Sequence, residues 1–295
     1  MIAAIFTGFF FALRNIVNKY AIVNRMRGLA FFYLSTAITI IAFPIISWIV
    51  SPMSFPSSDS FLLLIFASIT YFAGSLIFFY ALTLGDVTTA SPILSTRPML
   101  AVPLSFIFLN EFYGYEVIVW IFLIVCGAIM TSWNEGVKLK QLYRNKTLWL
   151  FFTTTFLWAL QNISSKPVLQ EIDNFNFIAW LHILSIPLFL ACTPLVLNKF
   201  EKIDLKRNIK STLPYALLAN VFLYGSFVTM FFAVKFSVSL SEALIATHGI
   251  FAVTIGFLIS LINPKLIAEK HAKKTYLSRL IGATLILIGA YNILG

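Results

Sequence analysis

Apolar residues run along this chain in blocks of about twenty, separated by short clusters of charge, Pro, Asn and Ser. Ten such blocks stand at 2–23, 29–50, 60–83, 88–109, 116–133, 147–166, 174–197, 213–234, 239–261 and 276–294. A helix of roughly 20 residues rises about 30 Å, the thickness of a bilayer's hydrocarbon core. The blocks lack the two-residue alternation of barrel strands, and lipid leaves no partner for a free backbone group. The pattern therefore predicts ten transmembrane helices, with little chain left for a soluble domain. The first block begins at the initiator Met without a basic segment before it, so it reads as a retained helix rather than a removed signal.

Polar residues inside these blocks repeat. "ALRNIVNK" at 12–19 returns as "ALQNISSK" at 159–166, so Asn15 and Asn162, like Lys19 and Lys166, lie 147 residues apart. Gly74-Ser75 returns as Gly225-Ser226, 151 residues on, and the same offset carries the fourth block onto the ninth. The chain thus reads as two copies of a five-helix unit, 1–137 and 138–295. Because five is odd, the second copy enters the membrane from the opposite face. Inverted repeats of this kind give alternating-access transporters two near-equivalent gates around a midplane site.

Composition agrees with a bilayer as solvent. Of 295 residues, 60% are hydrophobic and only 11% charged, against roughly a quarter charged in soluble domains. The net charge of +10 points first to nucleic acid, but the basic residues flank the apolar blocks, which suits membrane topology and not nucleic-acid binding. Nearly all Lys and Arg outside the blocks fall in the loops after the first, fifth, seventh and ninth; the other side holds Lys235, with Lys166 at its border. The positive-inside rule makes the crowded loops cytoplasmic and puts both termini outside, most simply at the cell membrane. Cys126 and Cys192 both lie within apolar blocks and read as packing residues.

Residues 80–130, "YALTLGDVTTASPILSTRPMLAVPLSFIFLNEFYGYEVIVWIFLIVCGAIM", resemble the EamA-like family of the drug/metabolite transporter superfamily. The likeness lies in the Tyr-Ala-Leu ending of the third helix, the small-residue and Pro-containing fourth, Glu111 closing it and a glycine late in the fifth. Lys19 and Lys166, ending the first and sixth helices, fit the family's repeat starts. The resemblance implies a ten-helix secondary transporter with a central cavity, more usually with termini inside, which conflicts with the charge count. The second copy departs from the pattern: Ile262 stands where the glutamate is expected, and Pro92 and Pro98 become Ala243 and Gly249.

Charges inside apolar blocks are costly, by several kcal/mol on insertion scales, and are functional candidates by default. Arg97 lies mid-block in the fourth helix, and its repeat mate is His248. Glu242, mated to Ser91, stands nearer the start of the ninth helix. Arg14 and Asn18 share a face of the first helix at i, i+4, with Gln161 and Asn162 on the sixth as counterparts. A guanidinium fork suits a carboxylate or phosphate. Arg97, Arg14, Asn18, Gln161, Asn162, Ser91, Ser95 and His248 are therefore the expected substrate ligands, and Glu242 the expected coupling carboxyl. The competing structural reading pairs Arg97 with Glu242 as a buried strut and makes the asparagines helix-to-helix bonds.

No phosphate-cradling loop, zinc spacing or hydrolytic constellation stands out, so neither an enzyme nor a cofactor is expected. The expected partners are a small-molecule substrate and the bilayer, and a monomer is compatible with this reading. The function expected is secondary transport of a small polar metabolite, an amino acid or related carboxylate first, coupled to protons or another gradient. The alternative is export of amphipathic or cationic drugs or lipid-like compounds through an aromatic cavity, suggested by 31 Phe.

Overall fold

A computed structural model describes residues 1–84, 93–132, 146–262 and 273–294. The described residues hold helices and no strand: α1 (Ile2–Asn24), α2 (Gly28–Val50), α3 (Ser58–Leu84), α4 (Arg97–Leu109), α5 (Tyr115–Ser132), α6 (Lys146–Glu171), α7 (Asn174–Ile183), α8 (Ile186–Val196), α9 (Lys199–Val234), α10 (Val238–Ile245), α11 (His248–Ile262) and α12 (Lys273–Leu294). Among the described residues, five stretches are long and apolar enough to cross a membrane: α1, α2, α3, Asn174–Pro194 across α7 and α8, and Phe200–Val234 in α9. Apolar side chains such as Phe6, Ile49, Leu62, Phe122, Val221 and Leu287 are exposed on the outside of the bundle. In water such a surface would drive aggregation; in lipid it is the required solvent contact.

Helix ends are set by local chemistry. Asp173 accepts from the backbone N–H groups of Phe175 and Asn176 at the start of α7, and Asn198 does the same for Phe200 and Glu201 at the start of α9. Each such cap contributes about 1 kcal/mol. Asn110 ends α4 in the left-handed conformation, φ 51°, which asparagine tolerates better than most residues.

Two departures from the hydropathy pattern matter. The fourth, seventh and ninth blocks, expected as single helices, are each broken, at Ser95–Thr96, Leu184–Ser185 and Ala246–Thr247. Helix α9 also begins 14 residues before its apolar block, at Lys199 rather than 213. That polar extension has work to do at the start of α2: Glu201 accepts from the Ala30 N–H at 3.1 Å and pairs with Arg27 at 3.7 Å, and Asp204 accepts from the Arg27 N–H at 2.7 Å. Carboxylates there meet the unpaired N–H groups and positive dipole end of α2.

Helices pack lengthwise in pairs: α1 on α9, α3 on α6, α5 on α12 and α2 on α7. Glycines permit the closest crossings. A Cβ at Gly127 of α5 would lie 2.5 Å from the Gly282 carbonyl oxygen of α12, and one at Gly282 would lie 2.6 Å from that of Gly127. Gly74 receives Trp158 of α6, while Gly225 receives Phe10 of α1. Two apolar cores result, one around Phe43, Phe177, Phe227 and Phe231, the other around Phe31, Phe32, Phe72 and Phe79.

Candidate functional site

The fourth and ninth blocks are interrupted at corresponding positions, and the interruptions share their chemistry. Thr96 donates its hydroxyl to the Ile93 carbonyl at 2.7 Å, and Thr247, 151 residues on, donates to the Leu244 carbonyl at 2.7 Å. Their backbone N–H groups turn to the same i−3 carbonyls, at 3.0 and 3.1 Å. A threonine that bonds back to its own helix competes with the backbone ladder and bends it. Helix restarts with Arg97 in one case and His248 in the other. Gly8 of α1 fits against the second interruption, where a Cβ would lie 2.8 Å from the Thr247 hydroxyl and 3.0 Å from the His248 nitrogen.

Arg97 and Glu242 meet here. The Arg97 Nε ion-pairs with Glu242 Oε2, and Asn162 of α6 donates its amide to Glu242 Oε1. Glu242 is 1% exposed, so both carboxylate oxygens are held in a dry setting. The pair neutralises two charges that would each be costly alone. The Arg97 guanidinium also lies 6.0 Å from the Phe11 ring, and its charge is felt at His248. His248 Nδ1 itself sits 3.2 Å from the Ile245 carbonyl. Asn162 Oδ1 and Gln161 Nε2 are buried with no hydrogen-bond partner among the described residues.

Arg14 stands elsewhere. It lines a small cleft with Phe32, Ser35, Thr36 and Thr39 of α2, Tyr71, Ser75 and Phe79 of α3, and Leu223 of α9. Asn18 is buried on α1 but is absent from the cleft lining. Ser95 is buried, and Ser91 lies outside the described residues. The expected ligands thus divide: Arg97, Glu242 and Asn162 bond together with His248 beside them, while Arg14 faces hydroxyls that sequence reasoning had not singled out. Thr36, Ser35 and Thr39 recur at helical spacing in "LSTAIT", which was the available signal.

A third polar cluster was also missed as a site. Glu111, just past α4, pairs with Lys166 of α6 at 2.6 Å, accepts from the Tyr113 hydroxyl at 2.7 Å and the Ser237 hydroxyl at 3.1 Å, and receives the N–H groups of Val238 and Ser239 at 2.9 and 3.2 Å. One carboxylate therefore ties the α4–α5 linker to α6 and caps α10. Burial alone would push this carboxyl up, but the Lys166 ammonium and the donated N–H and O–H bonds outweigh it and hold it below the ordinary carboxylate range. Burial, aided by the Glu111 charge, pushes the Tyr113 hydroxyl up.

Apolar helices with exposed lipid-compatible faces around a cluster of paired charges define a polytopic membrane protein. Residues 1–133, α1 through α5, match the EamA-like transporter family, which belongs to the drug/metabolite transporter superfamily, and the resemblance read from the sequence holds for that span. That family is one of transporters and not of enzymes, and the match over residues 1–133, together with the apolar helices, supports an integral membrane protein. No curated protein matches the sequence. A solved structure, described as a crystal structure of a protein, superposes with a TM-score of 0.66 over 98% of this chain and 93% of its own, at 14% identity. That likeness is one of fold alone, over nearly the whole chain.

Proposed function

We propose that the protein is a secondary active transporter for a small polar metabolite, an amino acid or related carboxylate first, working by alternating access. In this reading the ten apolar segments are two inverted five-helix repeats, 1–137 and 138–295. Several contacts support it. Helix α1 packs on α9 as α6 packs on α3. The mates Thr7 and Thr154 each reach across to the other half, Thr7 to the Thr229 hydroxyl at 2.9 Å and Thr154 to the Gly74 carbonyl at 3.3 Å. The mirrored interruptions at Thr96 and Thr247 carry the same relation into the centre. We place the basic loops in the cytoplasm of a cell whose plasma membrane holds the protein, with both termini outside. A reporter active only in the cytoplasm should stay silent when fused after Gly295; its activity would reverse the orientation.

The observation that carries the reading is the Arg97, Glu242 and Asn162 cluster, because it joins α4 of the first half to α6 and α10 of the second. A bond between halves at the centre of the molecule must break or move for access to switch. Protonation of Glu242 removes the charge that holds Arg97, so loading a proton loosens α4 from α10. Proton binding and gate movement then become one event, which is the requirement for coupling. The test is Glu242→Gln in proteoliposomes, where the neutral amide mimics the protonated state permanently. Uphill, pH-driven uptake should vanish while solute exchange across the membrane persists. Retention of pH-driven uptake by the variant would exclude Glu242 as the coupling group.

A further inference from the structure

The guanidinium groups of Arg97 and Arg14 stand in opposite circumstances. Arg97 has its counter-charge in Glu242. Arg14 has none: no described residue ion-pairs or hydrogen-bonds with it, and its electrostatic neighbour is the Tyr71 hydroxyl, itself beside Ser75. A cation in a half-buried cleft with no counter-charge among the described residues is costly, and a neutral glutamine at the same place would be cheaper.

The walls of the Arg14 cleft say what would complete it. The Ser35 hydroxyl donates to Asn220 Oδ1 at 2.8 Å, and the Thr39 hydroxyl donates to the Thr36 carbonyl at 3.0 Å. Their protons are committed, so these oxygens offer only lone pairs to a visitor. The guanidinium offers only donors. Phe32, Phe79 and Leu223 add an apolar flank. The cleft is small, and the guanidinium fork matches the two oxygens of a planar carboxylate.

We propose that Arg14, rather than Arg97, holds the oxyanion of the transported solute, and that the Ser35 and Thr39 oxygens accept from an N–H or O–H group on the same molecule. The assignment rests on the transporter reading above. It divides the labour at the centre: the balanced Arg97 and Glu242 pair handles the proton, and the unbalanced Arg14 takes the solute. The ligand class is a carboxylate with a hydrogen-bond donor close by and an apolar body, and its binding supplies the missing negative charge.

Thermal unfolding of the purified full chain in a phosphate-free detergent tests this, with L-leucine, isocaproate, leucinamide and phosphatidylglycerol as separate probes. Leucine and isocaproate should raise the melting temperature, leucine at lower concentration, and leucinamide, which lacks the carboxylate, should not. Arg14→Gln and Arg14→Lys should each weaken the response by about tenfold or more, because a lysine lacks the fork. Without ligand, Arg14→Gln should melt higher than the wild type, the signature of an unpaired charge removed. Should Arg14→Gln fold poorly, a lower melting point or an undiminished ligand response in Arg14→Lys overturns the assignment. A response to phosphatidylglycerol alone, or to no carboxylate, also overturns it. Gradient-driven uptake with unchanged KM in Arg14→Gln would remove the site and leave the transporter standing. Carboxylate binding by a wild type that transports nothing would do the reverse.

Discussion

Arg97→Gln is expected to cost about 3–5 kcal/mol of stability at neutral pH, the range found when one partner of a buried ion pair is removed. The variant leaves the Glu242 carboxylate, 1% exposed, with Asn162 as its remaining bond among the described residues. The double variant Arg97→Gln with Glu242→Gln should recover most of the loss, since no charge is then buried without its partner. The coupling between the two substitutions, measured by thermal or denaturant unfolding of all four proteins, reads the pair directly. Simple additivity would mean that the two side chains do not depend on one another. The contrast with Arg14, whose neutralisation should stabilise, follows from the same electrostatics, with a counter-charge present in one case and none among the described residues in the other.

Glu111→Ala should be the next most damaging change, at about 3 kcal/mol, because a single carboxylate serves Lys166, two hydroxyls and two backbone N–H groups. Removing it leaves the Lys166 ammonium, 20% exposed in its side chain, and the first turn of α10 without their acceptor. The same carboxylate gives a pH dependence of known sign. Its folded pKa lies below the ordinary 4.5, so its contribution is present in full above that value and is lost as pH falls through the lowered one. Between pH 7 and pH 3 the wild type should therefore lose more melting temperature than Glu111→Gln. Parallel curves for the two proteins would show that the carboxylate's charge does not stabilise this junction. At the 151-residue offset read from the sequence the position holds Ile262, which carries no carboxylate.

Hydropathy located the helices where their length is set by apolar residues alone. The expected blocks at 2–23, 29–50 and 60–83 differ by two residues at most from α1, α2 and α3 at either end. It failed where a helix continues in polar sequence. The first turns of α9 carry Lys199, Glu201, Lys202 and Asp204, which a hydropathy count reads as loop, although Glu201 and Asp204 are there to meet the start of α2. The interruption at Thr247 was invisible because threonine is common in continuous helices, and only its bond to Leu244 reveals the bend. Repeat arithmetic aligned Arg97 with His248 and Glu242 with Ser91, since it pairs positions related by the offset. The actual bond runs between Arg97 and Glu242, 145 residues apart and off that diagonal, as the strut alternative had it. Glu111 was legible only as part of the family resemblance. Its five partners come from three separate stretches, and no local pattern announces such a convergence.

The central claim is gradient-driven transport, and uptake by proteoliposomes tests it most directly. The purified full chain, reconstituted in one orientation, is offered a panel of labelled amino acids and monocarboxylates, with and without a one-unit pH step across the membrane. Saturable accumulation of at least one carboxylated solute above its external concentration, abolished when a protonophore collapses the step, is the expected result. Flux that never saturates and ignores the gradient, or movement of labelled lipid between leaflets without movement of any solute, would contradict it.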